Sequence, residues 1–161
     1  MRGPPPRNIA AESKWLVIDS SEPGYAPSVV TLVARISRTP SGRAILEGIR
    51  ASGGSVKIEA PASTDPPNAT VSRESPTQMP VPDDPADRPN WYIGFDPRDW
   101  PNPFDRHARS PEVMLFVLLR DALARLRSEP VPVDRFAMSD AEPDAAEAAA
   151  VARFEQERNQ R

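Results

Sequence analysis

The stretch that decides the fold is residues 110–127, which read SPEVMLFVLLRDALARLR. Ser110 is a favourable N-cap residue, Pro111 suits the first helical position, and Glu112 complements the positive end of the helix dipole. Seven consecutive apolar residues follow, at positions 113–119. Because a helix that is apolar all round must be buried on most sides, the sequence predicts a long central helix within a packed core.

Weaker signals around this helix complete an α+β pattern. Apolar residues at helical spacing predict a bent pair of helices, the first capped by Ser28 and the second starting at Thr39-Pro40 and ending at Gly53-Gly54. Apolar runs and alternation predict strands near 14–19, 55–60, 69–73 and 91–96, and an Ala-rich stretch predicts a last helix near 144–160. We therefore expect an N-terminal helix pair, a small, mostly antiparallel sheet, a buried central helix and a C-terminal helix.

Proline divides the chain into an arm, a domain and a loop. The 161 residues include 21 prolines, and 11 of these lie between positions 61 and 103. Proline lacks the N–H that helices and central strands need, so residues 61–103 are predicted to form a long loop that two short strands interrupt. This loop belongs to a single predicted domain, residues 14–161. Residues 1–13 are polar and Pro-rich, and we expect a flexible arm there.

Composition excludes several classes of function. The chain has no cysteine and one histidine, His107, which excludes disulfides, thiolate chemistry and a multi-histidine metal site within one chain. A net charge of −3 with only two lysines argues against nucleic-acid binding. No apolar run reaches the roughly 20 residues of a membrane span, and no secretory signal is evident. We expect a cytoplasmic protein, or one that a dedicated machine secretes without a cleaved signal peptide.

The helix pair and the central helix resemble a known family. Residues 39–46 (TPSGRAIL), the Gly53-Gly54 dipeptide and the strand 56–58 are similar to the N-terminal half of the NleD-type zinc endopeptidases of bacterial effector systems. Residues 111–122 follow the frame of that family's helix, which reads apolar-Leu-Phe-His-Glu-Leu-x-His-Ala, and residues 153–158 resemble its closing helix. The resemblance covers residues 28–160 and implies a zincin-like, metallopeptidase-like domain.

The chain departs from this family at the catalytic positions. In an H-E-x-x-H helix the two histidines bind zinc, and the glutamate is the general base for the metal-bound water. The matching positions here are Val117, Leu118 and Asp121. Valine and leucine have no lone pair to donate, so one metal ligand and the base are absent. The resemblance therefore implies a pseudo-metalloprotease with no catalytic residue, no bound metal and no cofactor.

The leading hypothesis is a catalytically inactive module that binds or scaffolds another protein. By resemblance, its context is a bacterial secretion or injection system, where it acts as effector, cargo or adaptor. Aromatic side chains are common interface anchors. The predicted binding surface is a cleft beside the central helix, under the Pro-rich loop, and comprises Trp91, Trp100, Phe104, His107, Arg120 and Asp121. The competing interpretation of the three aromatic residues is that they simply cover the central helix.

The sequence leaves two other functions open. One is a hydrolase with a rebuilt metal site, using Asp121, His107 and a carboxylate from the last helix such as Glu142 or Glu147. The other is an immunity protein or chaperone for a toxin, which sequence patterns do not distinguish from a scaffolding module. The oligomeric state is not predicted.

Overall fold

The computed structural model describes residues 15–61, 70–73, 89–98, 110–129 and 145–160. These residues form four strands and four helices, in the order β1 Leu16–Ile18, α1 Tyr25–Ser37, α2 Pro40–Ala51, β2 Val56–Glu59, β3 Thr70–Ser72, β4 Trp91–Gly94, α3 Pro111–Leu126 and α4 Ala145–Asn159. The predicted mixture of helices with a small sheet is confirmed. The predicted arm and most of the Pro-rich loop lie outside the described residues.

The sheet is mixed, with the strand order β1-β2-β4-β3. Strand β2 pairs in parallel with both β1 and β4, and only β3 runs antiparallel, at the edge beside β4. The prediction of a mostly antiparallel sheet is therefore wrong. The physical reason is the connection between β1 and β2, because both helices of the N-terminal pair lie in it. A crossover of this length returns the chain to the same end of the sheet, so the next strand runs parallel.

Helix α1 begins at Tyr25, earlier than its predicted N-cap, Ser28. Its actual N-cap is Gly24, which has a φ of 84° and makes no side-chain capping bond. The hydroxyl of Ser28 donates to the carbonyl oxygen of Gly24, 2.8 Å away, from inside the first turns of the helix. Tyr25 is fully buried, and its hydroxyl donates to the carbonyl oxygen of Phe95. The helix therefore starts early enough to include the buried ring of Tyr25. No local sequence pattern indicates that this ring is buried.

The joint between α1 and α2 is built around the buried hydroxyl of Thr39, as the sequence predicts. This hydroxyl accepts a bond from the backbone N–H of Gly42 at 3.0 Å and donates to the carbonyl oxygen of Ile36 at 2.8 Å. Glycine is required at position 42, because an added Cβ would lie 2.0 Å from the Ile36 oxygen. The two helices can therefore meet at a joint of almost no length.

Helix α3 lies at the centre of the core, as predicted. The Ser110 side chain caps it by accepting a bond from the N–H of Val113, and every residue from 112 to 119 is buried. The helix contacts α1, α2 and α4 as well as β3 and β4. On the α4 side, the Phe116 and Phe154 rings stack with centroids 4.2 Å apart. None of the four described helices combines the length and apolar content needed to cross a membrane.

The close approach at Gly42 yields a stability prediction. Glycine to alanine normally favours a helix, but in Gly42→Ala the new methyl group would collide with the Ile36 carbonyl. We expect a loss of about 2–3 kcal/mol in the free energy of unfolding, measured by urea denaturation. The matched control on the same helix is Arg43→Ala, at an exposed position, which should change stability by less than about 0.5 kcal/mol. Equal stability of the two variants would contradict the proposed role of Gly42.

Candidate functional site

A groove of about 650 Å³ lies between α2, α3 and α4. Its apolar lining includes aromatic, branched and small side chains, namely Pro40, Ala44, Ile45, Phe116, Leu123, Ala124, Ala146, Ala149 and Ala150. Its polar lining is formed by Ser41, Arg120, Asp121, Arg127, Glu129 and Arg153. Apolar walls with a few placed polar groups are typical of binding sites, and the volume is in the range that such sites have.

The groove opens where the apolar run of α3 ends. From Phe116 onward, one face of α3 carries Arg120, Leu123 and Arg127 at spacings of three and four residues, so this face is only partly apolar. The facing side of α4 carries Ala146, Ala149 and Ala150, again at helical spacing. Alanine side chains are too short to fill the space between the helices. The groove therefore results from a lack of bulk on α4 opposite a mixed face of α3.

Directional polar contacts hold α4 against α2 at the end of the groove. The backbone N–H and hydroxyl of Ser41 donate to the two carboxylate oxygens of Glu157, each at 2.8 Å, and Arg153 Nε donates to the same carboxylate at 3.2 Å. Burial by itself would raise the pKa of Glu157, but these hydrogen bonds stabilise the anion and hold its pKa below the ordinary value. A further pair, Arg158 with Glu112 at 3.1 Å, joins α4 to the first turn of α3.

Two of the three arginines in the groove have no partner among the described residues. Neither Arg120 nor Arg127 makes a hydrogen bond or ion pair there, whereas Arg153 is bonded to Glu157. Arg120 is half-buried and Arg127 is exposed. Asp121 is only 5% exposed and is already engaged in an interaction. The groove therefore presents two guanidinium groups that are available to bind an anionic partner.

The structure places two of the predicted binding residues in this groove, Arg120 and Asp121. Trp91 lies elsewhere, at the start of β4, where the guanidinium carbons of Arg73 and Arg125 are 4.4 and 5.0 Å from its ring centroid. Because Arg125 belongs to the end of α3, Trp91 is close to the central helix rather than to the groove. The other three predicted residues, Trp100, Phe104 and His107, lie outside the described residues.

The positions that match the zinc ligand and the general base do not line the groove. Val117 and Leu118 are both 0% exposed and belong to the packed core of the domain. Asp121, one turn further along α3, does line the groove. A groove therefore lies beside the central helix, against the face that carries Phe116, Arg120 and Asp121. Most of the Pro-rich loop that was predicted to cover the cleft lies outside the described residues. The hydrocarbon at positions 117 and 118 serves the core.

The rebuilt metal site has only some of its proposed residues within the described structure. Asp121 and Glu147 are both buried, and each is engaged in an interaction. The other two residues, His107 and Glu142, lie outside the described residues. Within those residues, no group of three or more histidine, cysteine, aspartate or glutamate side chains is arranged to hold a metal ion.

Sequence reasoning missed a carboxylate cluster around Tyr25. Each of the three parallel strands ends in or is soon followed by an acid, in the order Asp19, Glu59 and Asp96. Burial raises the pKa of Tyr25 far above its ordinary value, and these three carboxylates add to the effect. The carboxyl ends of parallel strands meet at the same edge of a sheet, so acids at the ends of three such strands come together. Because the strands were expected to be antiparallel, these acids were not predicted to lie close to one another.

Arg98 neutralises part of this cluster. Its guanidinium pairs with Asp96 at 2.9 Å and with Glu22 at 2.7 Å. Burial opposes ionisation of Asp96, but the hydrogen bonds from Arg98 outweigh it and hold the pKa of Asp96 below the ordinary value. Asp19 accepts bonds from the backbone and the hydroxyl of Ser21. These carboxylates act as structural partners at the edge of the sheet, and the groove is the better candidate for a binding site.

Comparison with known proteins adds no relative: no family model matches the chain, and no match is found among curated proteins or solved structures. The similarity to the NleD-type endopeptidases therefore stays a prediction from short motifs. The function has to be argued from the geometry of the groove and from the residues that line it.

The Glu157 contact predicts a pH-dependent stability. A carboxylate whose folded pKa is lowered contributes stability above its unfolded pKa, near 4.3, and loses it as pH falls through the folded pKa. We expect Glu157→Gln to lower the free energy of unfolding at pH 7, with the difference from wild type shrinking below about pH 4. The matched control is Glu155→Gln, at an exposed position of the same helix. Urea denaturation over this pH range would contradict the assignment if both variants behaved alike.

Proposed function

We propose that the chain is a non-catalytic module that binds a partner protein, and that the groove between α2, α3 and α4 is its docking site. One observation carries the proposal: the groove of about 650 Å³ combines apolar lining with two arginines, Arg120 and Arg127, that have no partner among the described residues. Water over the apolar part of the lining is released when another apolar surface covers it, which favours association. The unpartnered arginines add specificity for the occupant.

The groove acts by occupancy in this proposal. The ring stack with Phe154 and the Ser41–Glu157 bonds hold α4 in place before any partner arrives. A binding surface that is already ordered loses less conformational entropy on association, which strengthens binding for a given contact area. The proposal extends to a scaffolding or adaptor role in a bacterial secretion or injection system, which rests on the resemblance to the NleD-type family alone.

A matched pair of alanines on α4 tests the docking site. Ala149 lines the groove, whereas Ala152 is exposed on the same helix outside it. The indole of Ala149→Trp would fill the groove, so we expect this variant to lose a protein that the wild-type chain captures from native host cells. Ala152→Trp should capture that protein as wild type does. Unfolding curves of both variants serve as the folding control. If a folded Ala149→Trp captured the protein as well as the wild-type chain does, the proposal would be wrong.

A second candidate function, a metal-dependent hydrolase, is favoured by one observation, the buried carboxylate of Asp121 at the groove. A binding module predicts that stoichiometric zinc or manganese leaves the melting temperature unchanged and that elemental analysis finds no metal at unit stoichiometry. A rise in melting temperature that Asp121→Asn abolishes would instead show a metal site at Asp121 and favour the hydrolase alternative. Asparagine keeps the shape of the side chain while removing the charge on which metal binding depends.

A further inference from the structure

We infer that the occupant of the groove is an acidic segment of the partner protein that carries at least one large apolar side chain. The inference rests on the proposed function, because it assumes that a protein chain docks in the groove. It adds the chemistry of the segment. The charge, the apolar lining and the open shape of the groove each indicate one property of the occupant.

The charge of the occupant follows from the two groove arginines that pair with no carboxylate among the described residues, Arg120 and Arg127. Several arginines elsewhere in the described structure pair with carboxylates, as Arg98 does with Glu22 and Arg158 with Glu112, whereas others, such as Arg73 and Arg125, lie over an aromatic ring. Arg120 and Arg127 form no such pair, although Asp121 and Glu129 line the same groove. The guanidinium group of the half-buried Arg120 has lost part of its hydration, whereas Arg127 is exposed; both can bind a carboxylate with two parallel hydrogen bonds. Carboxylates of the occupant would therefore form ion pairs with these two arginines.

The apolar part of the occupant follows from the apolar residues that line the groove. Phe116, Ile45 and Leu123 form apolar surface on two helices, and the alanines of α4 leave space in front of it. A polar side chain in this space would lose water without gaining a hydrogen bond from these residues. A large apolar or aromatic side chain would gain burial and dispersion contacts, as interface anchors do.

The open shape of the groove favours a chain over a small molecule. Along α3 the lining runs from Phe116 to Arg127, roughly 16 Å at about 1.5 Å per residue. About five residues of extended chain, at about 3.3 Å each, have this length. Seven of the lining residues are exposed, so a longer chain can enter and leave; they are Pro40, Ala44, Arg127, Glu129, Ala146, Ala149 and Arg153. A small ligand would leave much of itself in water there, whereas pockets for small ligands bury most of the bound molecule.

The test begins with random dodecapeptides displayed on phage and selected on the immobilised full-length chain. Clones that also bind Ala149→Trp are removed, so the survivors depend on the groove. We expect them to be enriched in Asp and Glu together with Phe, Trp or Leu. Synthetic versions of the survivors are then titrated by fluorescence anisotropy at about 0.1 M salt, where charges screen over about 10 Å.

Two double variants separate the groove arginines from net charge. Arg120→Gln with Arg127→Gln should weaken binding of the selected peptide about tenfold or more. Arg38→Gln with Arg43→Gln removes the same charge at exposed positions outside the groove lining, and should stay within about twofold of wild type. Equal weakening by both double variants would show non-specific attraction and overturn the inference.

The remaining outcomes distinguish this inference from the proposed function. A neutral or basic consensus that still depends on Ala149 overturns the acidic occupant and leaves the docking role intact. A wild-type dimer that Ala149→Trp converts to a monomer identifies a second copy as the occupant and overturns the inference. If no clone depends on Ala149, the inference is overturned. The docking role then falls as well only if host-protein capture is also insensitive to Ala149→Trp.

Discussion

The first half of α3 has no polar face, and keeping it out of water is the constraint on which the rest of the described structure depends. Residues 113–119 are buried on every side by the sheet and by the other three helices. A surface helix needs cover along one stripe only, whereas this one needs neighbours all round. The polar groups at its beginning are satisfied within that packing, because Ser110 caps the helix and Glu112 pairs with Arg158.

The same constraint decides where the protein can bind something. Val117 and Leu118 lie in the part of α3 that must be covered, so their hydrocarbon side chains are explained by the core and require no former active site. From Arg120 onward the helix is partly polar and needs no complete cover. Apart from Phe116, all the α3 residues that line the groove lie after this change of composition. The core-forming part of α3 and the part that supplies most of its groove wall are thus consecutive along the helix. The end of the apolar run, after residue 119, separates them.

Local signals predicted the helices well and the sheet poorly. The Ser110 and Thr39 caps act within three residues of their partners, so their sequence patterns are sufficient. Strand alternation shows which face is buried but not which strand is the neighbour, and the parallel pairing of β1 with β2 depends on the crossover between them. The groove was only half predictable: α3 supplied Arg120 and Asp121, but the opposing wall comes from α2 and α4, distant in sequence.

Helix α4 shows how a wall with few apolar residues can still be held firmly. Phe154 is fully buried against Phe116, but most of the helix surface is alanine or charged. Its other contacts are directional, with Glu157 on Ser41 and Arg158 on Glu112. Directional bonds fix distance and orientation, whereas apolar contact alone tolerates sliding. Small side chains on a wall fixed in this way keep the groove open, because bulky apolar residues at the same positions would close it by packing against α3.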